Sequence, residues 1–173
     1  MERGLNMNGD PEQTGPDPEE FLAAVGELAD SFGWTFQSLT RGEEIVAVVG
    51  LANDPSFEQV LWVYDTDEVF LRCLLVSRAV VEPERVGAVL ELCARINDGL
   101  MSGCLEYSFE NGTLIFRDSA QLGTGLVTDI VAGTSSRVLG LGSRYAPAIR
   151  ATLAGRAAAE AIALAEAPDQ DQD

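Results

Sequence analysis

Two hydrophobic periodicities alternate along the chain and divide it into helices and strands. After the polar residues 1–16, apolar side chains recur at helical spacing from Phe21 to Phe32. They follow the stretch Asp17-Pro18-Glu19-Glu20 and are followed by Gly33. An acidic N-cap, a proline at the first helical position and a glutamate at the third are typical of a helix start, and glycine is typical of a helix end. The pattern predicts an amphipathic helix that begins at Asp17 and ends at Gly33.

From Trp34 onward the hydrophobic period changes to two. Four apolar runs, WTFQSL, EIVAVVGL, FEQVLWVY and EVFLRCLLV, are separated by short segments rich in Gly, Asn, Asp and Pro. Apolar runs joined by turn residues of this kind predict antiparallel strands that follow one another as a meander.

A second helical pattern opens at Pro83 and closes at Asn97-Asp98-Gly99. Glycine after the last periodic residue is a common helix end. The residues expected on its apolar face are Val86, Val89, Leu90, Cys93 and Ile96.

Alternating residues and a tight turn follow this helix. Leu105, Tyr107 and Phe109 lie before Glu110-Asn111-Gly112, and Leu114 and Phe116 lie after it. Asn-Gly supplies the positive φ angles of a tight turn, so a hairpin is predicted that returns the chain to the sheet.

The last part of the chain, from about residue 124, has a helical repeat that Gly140 and Pro147 interrupt. Residues 148–165 are rich in alanine, the strongest helix former. We expect a long C-terminal helix that is kinked or broken near those two residues.

These elements predict an α+β fold in the order α-β-β-β-β-α-β-β-α, with a mainly antiparallel sheet of about six strands. The length fits a single domain, which we place at residues 17–165. Residues 1–16 and 166–173 are acidic and lack an apolar period, and both are predicted to be disordered tails.

The net charge changes the picture of possible partners. It is −17, and all 11 basic residues are arginine. Nucleic acids and anionic membranes are bound by neutralising phosphate with cations, so neither is an expected partner. The apolar runs are too short to cross a bilayer, and we expect a cytoplasmic protein.

The absence of histidine and lysine from the sequence narrows the chemistry further. Ser-His-Asp and Cys-His catalysis require an imidazole, and the common zinc sites lose their usual ligand. We expect no enzyme activity, catalytic residue, cofactor or metal, and we expect the three cysteines to be free, buried thiols.

Three stretches of the sequence could still carry chemistry. Asp65, Asp67 and Glu68 could hold a hard cation, but aspartate is also typical of a hairpin turn. The Gly-Thr-Gly at 123–125 could bind an anion at a helix start, although a loop with Thr124 as helix cap is the simpler interpretation. Cys104 could be a nucleophile, but the sequence offers no base to activate it.

The predicted strands are apolar on both faces, which is unusual for a sheet open to water. Arg72 marks the outer face of its strand, yet apolar residues share that face with it. Something is expected to cover this surface: the C-terminal helix, a second subunit, or a captured peptide. The residues proposed for this partner or dimer surface are Phe70, Leu74, Val76, Val46 and Val48.

The element order and two stretches, RINDGLMSGCLEYSFENGTLIFRDS and RYAPAIRATLAG, resemble the YbjN-like family. The shared features are an Asn at the end of the middle helix, a hairpin with an acidic-Gly turn, and a late aromatic-Ala-Pro stretch. This resemblance covers about residues 18–155 and implies a fold similar to that of the type III secretion chaperones.

The resemblance implies a non-catalytic role. Paired subunits of the secretion chaperones hold an extended partner segment on an apolar surface. We therefore expect a homodimer that acts as a protein-binding, chaperone-like or regulatory module through its sheet. The alternative is a small-molecule sensor with a pocket between the sheet and the C-terminal helix.

Overall fold

The structure is a computed structural model that describes residues 15–123 and 125–166. The predicted order of elements is confirmed over these residues, with one further helix at the end. The predicted disordered tails lie outside the described residues, except for 15–16 and 166. The elements are α1 (Pro18–Ser31), β1 (Gln37–Arg41), β2 (Glu44–Gly50), β3 (Phe57–Asp65), β4 (Phe70–Val80), a 3-10 turn (Pro83–Arg85), α2 (Val86–Asp98), β5 (Cys104–Ser108), β6 (Thr113–Gln121), α3 (Val127–Leu153) and α4 (Ala158–Glu166).

The six strands form one antiparallel sheet in the order β1-β2-β3-β4-β6-β5. The first four strands are a meander, and β6 then inserts between β4 and β5. β1 and β5 are therefore the two edges of the sheet. The predicted α+β class and the six-stranded antiparallel sheet are both confirmed.

Helix α1 begins and ends at the residues that the sequence indicates. The Asp17 carboxylate accepts a hydrogen bond from the Glu20 backbone N–H at 2.8 Å, which satisfies one of the free donors at the helix start. At the other end Gly33 has a φ of 66°, which glycine adopts without strain. The chain just before α1 is held by the Tyr64 hydroxyl, which donates to the Pro16 carbonyl at 2.8 Å.

All four helices pack on the same side of the sheet, and the core lies between them and it. On β4 the side chains facing this side are fully buried, namely Leu71, Cys73 and Leu75. Helix α3 crosses the centre of this face, where the Trp62 indole N–H donates to the Ser135 hydroxyl at 2.7 Å. We call this side of the sheet the core face.

Helix α3 lies very close to the sheet at Gly142. A Cβ atom at this position would come closer than 3.0 Å to Leu75 Cδ2 and would lie 3.2 Å from two ring carbons of Phe57. The residue is buried within the helix, so any larger side chain would require Leu75 or Phe57 to move.

The Asn97 side chain, near the end of α2, hydrogen-bonds to the backbone of β5. Its side-chain oxygen accepts from the Leu105 N–H at 2.8 Å, and its side-chain amide donates to the Leu105 carbonyl at 3.0 Å. The side chain thus takes the place of a neighbouring strand at the β5 edge, and α2 packs alongside it.

The C-terminal helix is broken, as the sequence predicts, but the break lies later than the interruptions predicted near Gly140 and Pro147. The helix continues through Gly140 and Pro147 and ends at Leu153. The break comes at Gly155, whose φ is 107°. Proline removes one helical hydrogen bond, but the neighbouring Ala146, Ala148 and Ile149 are buried in the core, which holds the helix in place.

Two smaller predictions also need correction. The apolar face of α2 includes the fully buried Leu92, whereas Leu90 is 40% exposed. The first strand begins at Gln37, so Trp34 lies in the connection before it. In both places the hydrophobic period alone allows either assignment, and packing against neighbouring elements determines which one forms.

Candidate functional site

The side of the sheet opposite the helices carries the apolar residues that the sequence singled out. Strand alternation places them in rows across the sheet, because Val46 is opposite Val63, Val48 is opposite Leu61, and Leu61 is opposite Leu74. We call this surface the open face. Its apolar members are Leu39, Val46, Val48, Leu61, Val63, Phe70, Leu74, Val76 and Ile115.

Helix α3 does not cover the open face. It packs on the core face, where Gly142 meets Leu75 and Ser135 meets Trp62. No helix in the described part of the chain lies over the opposite surface, where Phe70, Leu74 and Val76 remain half-buried. Of the three covers expected from the sequence, the C-terminal helix is therefore excluded.

The five predicted surface residues are not equally accessible. Val46 is only 9% exposed and its neighbour Val63 only 7%, so both are buried within the sheet surface itself. Phe70, Leu74, Val76 and Val48 are half-buried and keep area that a partner can remove from water. The structure brings all five together, but Val46 contributes little contact area.

Two ion pairs flank the apolar rows and belong to the same face. Arg72 pairs with Glu44 on one side. Arg117 pairs with Glu106 on the other, with a shortest N–O distance of 2.5 Å. The hydrogen bonds from Arg117 hold the pKa of the Glu106 carboxyl below its usual value. The open face is therefore apolar in its middle, and its arginines are neutralised by carboxylates of the same chain.

The sequence pattern points both Arg72 and Arg117 away from the core face, but it does not indicate that they pair with Glu44 and Glu106. Glu106 and Arg117 come from neighbouring strands whose register places Cys104 directly opposite Arg117. The pair is a diagonal one, and no spacing within the sequence indicates it. The only indication of this pair in the sequence is the predicted hairpin, which makes Glu106 and Arg117 neighbours once its register is known.

The cysteines lie in surroundings that disfavour the reactive thiolate. Burial raises the pKa of Cys73 to about 12 and that of Cys93 to about 11. Cys104 is half-buried at the margin of the open face, where its Sγ lies 3.5 Å from a Glu106 carboxylate oxygen. Burial and this carboxylate raise the Cys104 pKa, although the Arg117 cation opposes the change.

The acidic turn between β3 and β4 has a structural role. A carboxylate oxygen of Asp65 accepts from the Glu68 backbone N–H at 3.0 Å, a local hydrogen bond typical of aspartate in turns. Within residues 15–123 and 125–166 no group of three or more acidic, cysteine or histidine side chains is placed to hold a metal ion. The predicted Thr124 cap lies outside the described residues, and α3 starts after Leu126 with no side-chain cap.

A cavity of about 340 Å³ lies between the sheet, the β2–β3 loop and α3. This is the position that the alternative prediction gave for a small-molecule pocket. The apolar part of its walls comes from Trp34, Leu51, Phe57, Leu75, Leu139 and Ala146.

The polar lining of the cavity comes from the β2–β3 loop and α3, namely Asp54, Ser56, Ser143 and Arg150. Arg150 Nη1 donates to the Ser56 hydroxyl at 2.6 Å, and none of the ion pairs among the described residues includes Arg150. Pro147 has no N–H, so the Ser143 carbonyl one turn earlier lacks its helical partner. Both Ser143 and Pro147 line the cavity. It therefore combines the Arg150 cation and the Asp54 carboxylate, whose Oδ1 accepts from the Ser56 and Phe57 N–H groups, with an aromatic wall.

The described helices include none that is long and apolar enough to cross a membrane. The comparisons with protein-family models and with curated proteins found no match. Among solved structures, the chain is similar to YbjN from E. coli, described as "a putative transcription regulator". The identity is 15%, the TM-score is 0.48, and the match covers 70% of this chain and 85% of YbjN. The resemblance to YbjN inferred from the sequence is confirmed as a resemblance of fold alone.

Proposed function

We propose that this protein is a non-catalytic protein-binding module whose open face takes an apolar segment of another protein. The observation that carries the proposal is the row of aliphatic side chains on a sheet surface that has all its helices on the opposite side. A solvated sheet face normally alternates with polar residues, whereas β2, β3 and β4 are apolar on both faces.

The size of the open face fits such a role. Its apolar rows cross four strands about 4.8 Å apart, and same-face residues repeat about every 6.8 Å along each strand, which gives a surface on the order of 400 Å². The exposed apolar area is smaller than this footprint, because Val46 and Val63 are buried within it, and contiguous apolar surface of even a few hundred Å² is often functional. The two internal Arg–Glu pairs neutralise the charges beside the apolar rows, and Asp65 lies at one end of the face, so an uncharged, aliphatic partner segment is the best fit for its middle.

Leu74→Glu tests the proposal. It places a carboxylate in the middle of the apolar rows and leaves the core face untouched. Leu90→Glu is the matched control, because Leu90 is a 40% exposed leucine on α2, away from the sheet. We expect proteins retained by the wild type and by Leu90→Glu to be lost with Leu74→Glu, while all three melt cooperatively. Identical protein binding by both variants would contradict the role of this face.

A second candidate function is a sensor for a small molecule, and the cavity beside α3 favours it. The Trp34 and Phe57 side chains can take an apolar body, and Arg150 can bind a carboxylate or another anionic group. The ligand class is therefore a small organic anion with an aromatic or aliphatic body.

Thermal melts with a panel of aromatic and aliphatic carboxylates test the sensor. Arg150→Gln should lose the stabilisation that a bound carboxylate gives. Arg144→Gln is the control, because Arg144 is an exposed arginine on the same helix, placed over the Tyr145 ring and outside this cavity. If no carboxylate raises the melting temperature, or if both variants respond as the wild type does, the sensor hypothesis fails.

A further inference from the structure

The two edges of the sheet are treated differently in this fold. At the β5 edge, Asn97 occupies the Leu105 N–H and carbonyl. At the β1 edge all five residues are exposed, and β2 is the element against which β1 packs. An exposed edge strand presents unpaired backbone groups that another strand can pair with. The β1 edge is therefore the open edge.

The hairpin between β1 and β2 determines which backbone groups are free. Arg41 and Glu44 face each other across a two-residue turn, and Gly42, the first turn residue, has a φ of 61°. This is the geometry of a type II′ turn, in which the flanking residues form a hydrogen-bonded pair. Because such pairs alternate in an antiparallel ladder, Leu39 and Gln37 also bond to β2.

Ser38 and Thr40 then point their N–H and carbonyl groups away from β2. The other side of β2 supports this alternation, because the Leu51 N–H bonds to the Glu58 carbonyl in the β3 register. No backbone hydrogen bond from a turn, loop or cap in the described chain reaches Ser38 or Thr40. The open edge thus offers two donors and two acceptors.

We propose that two copies of this chain pair through β1, antiparallel and about a two-fold axis at Leu39. Ser38 of each copy then faces Thr40 of the other, and all four free groups of each copy are used. This joins the two sheets into one of twelve strands. The pairing lies at the edge and leaves the open face accessible, so it does not depend on the proposed function.

The alignment centred on Leu39 is the only symmetric one that uses all these groups within the strand. If Thr40 faced itself, Ser38 would face Gly42, which belongs to the turn. If Ser38 faced itself, Thr40 would face Phe36, which precedes the strand. The number of hydrogen bonds therefore selects the register.

The side chains also suit this register. Ser38 and Thr40 form Ser–Thr cross-strand pairs, which are favourable. Arg41 faces Gln37 of the second copy, so like charges are not opposed. Leu39, 52% exposed in one chain, meets Leu39 of the second copy and extends the row that contains Val46.

The charge of the molecule favours the edge as the place of contact. Two copies with a net charge of −17 repel each other over most of their surfaces. Strand β1 contains one arginine and no carboxylate, so it is a segment where two acidic molecules can approach.

Sedimentation velocity at increasing protein concentration is the first test. We expect the wild type to shift from the mass of one chain to that of two. Ser38→Pro combined with Thr40→Pro removes both outward N–H groups while leaving those that bond to β2, and it should stay at the mass of one chain with an unchanged far-UV circular dichroism spectrum. Ser38→Ala with Thr40→Ala is the control, because it removes the hydroxyls, keeps the backbone donors and should associate as the wild type does.

A disulfide test measures the register directly, in a Cys104→Ser background. Leu39 of the two copies forms a non-hydrogen-bonded pair, with Cα atoms about 4.5 Å apart, within disulfide range. Leu39→Cys should therefore form a covalent dimer on mild oxidation, while Gln37→Cys, which faces Arg41 of the second copy, should not.

Three results would overturn the edge pairing. They are a wild type with the mass of one chain at every concentration, equal crosslinking of Leu39→Cys and Gln37→Cys, and a dimer that survives the proline changes. A dimer that survives those changes but is lost with Leu74→Glu would place the contact on the open face. The proposed protein-binding function is tested separately, by the proteins that Leu74→Glu fails to retain.

Discussion

Replacement of Gly142 by alanine tests how closely helix α3 is held against the sheet. Alanine is favoured over glycine in a helix by about 1 kcal/mol, so propensity alone predicts a more stable protein. The structure predicts the opposite, because the new Cβ would come closer than 3.0 Å to Leu75 Cδ2 and would meet the Phe57 ring at 3.2 Å.

The size of the effect follows from these two opposing terms. Overpacking a close-packed core costs about 1–3 kcal/mol. The cavity that borders Leu75 and Phe57 gives these side chains some room to move, which excludes larger values. After the gain of about 1 kcal/mol in helix propensity is subtracted, Gly142→Ala should lower the free energy of unfolding by up to about 2 kcal/mol.

Gly140→Ala is the matched control on the same helix. Gly140 is exposed, and a Cβ there would meet nothing within 4 Å, so this change should stabilise the protein by up to about 1 kcal/mol. Urea denaturation of the three proteins measures both differences, and a change of sign between the two variants is the expected result. A Gly142→Ala protein as stable as Gly140→Ala would refute the conclusion that this glycine sets the distance between helix and sheet.

Three further predictions concern thiols, pH and the β5 edge. Burial raises the pKa of Cys73 to about 12, so a thiol reagent at mildly alkaline pH should leave Cys73 unmodified until urea unfolds the protein. Cys104 should react before Cys73. Rapid labelling of Cys73 in the folded state would contradict this prediction. Arg117 lowers the pKa of Glu106, so the ion pair stabilises the protein at pH values above the ordinary carboxyl pKa. This contribution is lost as the pH falls through the lowered pKa. The difference in melting temperature between the wild type and Glu106→Gln should therefore vanish in acid. Asn97→Ala removes both hydrogen bonds to the β5 backbone and should cost about 1–2 kcal/mol in urea denaturation, whereas a loss within error would show that water replaces the amide.

The features that could be predicted from the sequence are those set by a few neighbouring residues. Asp17 and Gly33 bound α1 because the capping interaction and the positive φ are local. Alternation within β4 separated Leu71, Cys73 and Leu75 from Phe70, Leu74 and Val76, since the strand period requires nothing beyond the strand. The five residues predicted for the surface therefore lie together on one face.

What could not be predicted depends on contacts between distant segments. The sequence could not show whether the C-terminal helix covers the open face, because the answer depends on the side of the sheet on which α3 packs. Packing at Gly142 fixes that position. Helix α3 passes through Pro147 because the residues around it are buried, and a proline rule based on propensity cannot include that burial. The pairing of Glu106 with Arg117 depends on the register between β5 and β6, which the sequence does not give.

The hydrogen bonds of Asn97 also bear on how large an assembly of this chain can grow. A sheet with two free edges can add copies at both ends without limit, which is the geometry of a fibre. Here the Leu105 N–H and carbonyl are already occupied and α2 lies beside them, so less of the β5 edge is open to another strand. Strand pairing through β1 would consume the more open of the two edges. The asparagine side chain thus limits further growth of a pair, and its loss would free two more backbone groups for pairing with another chain.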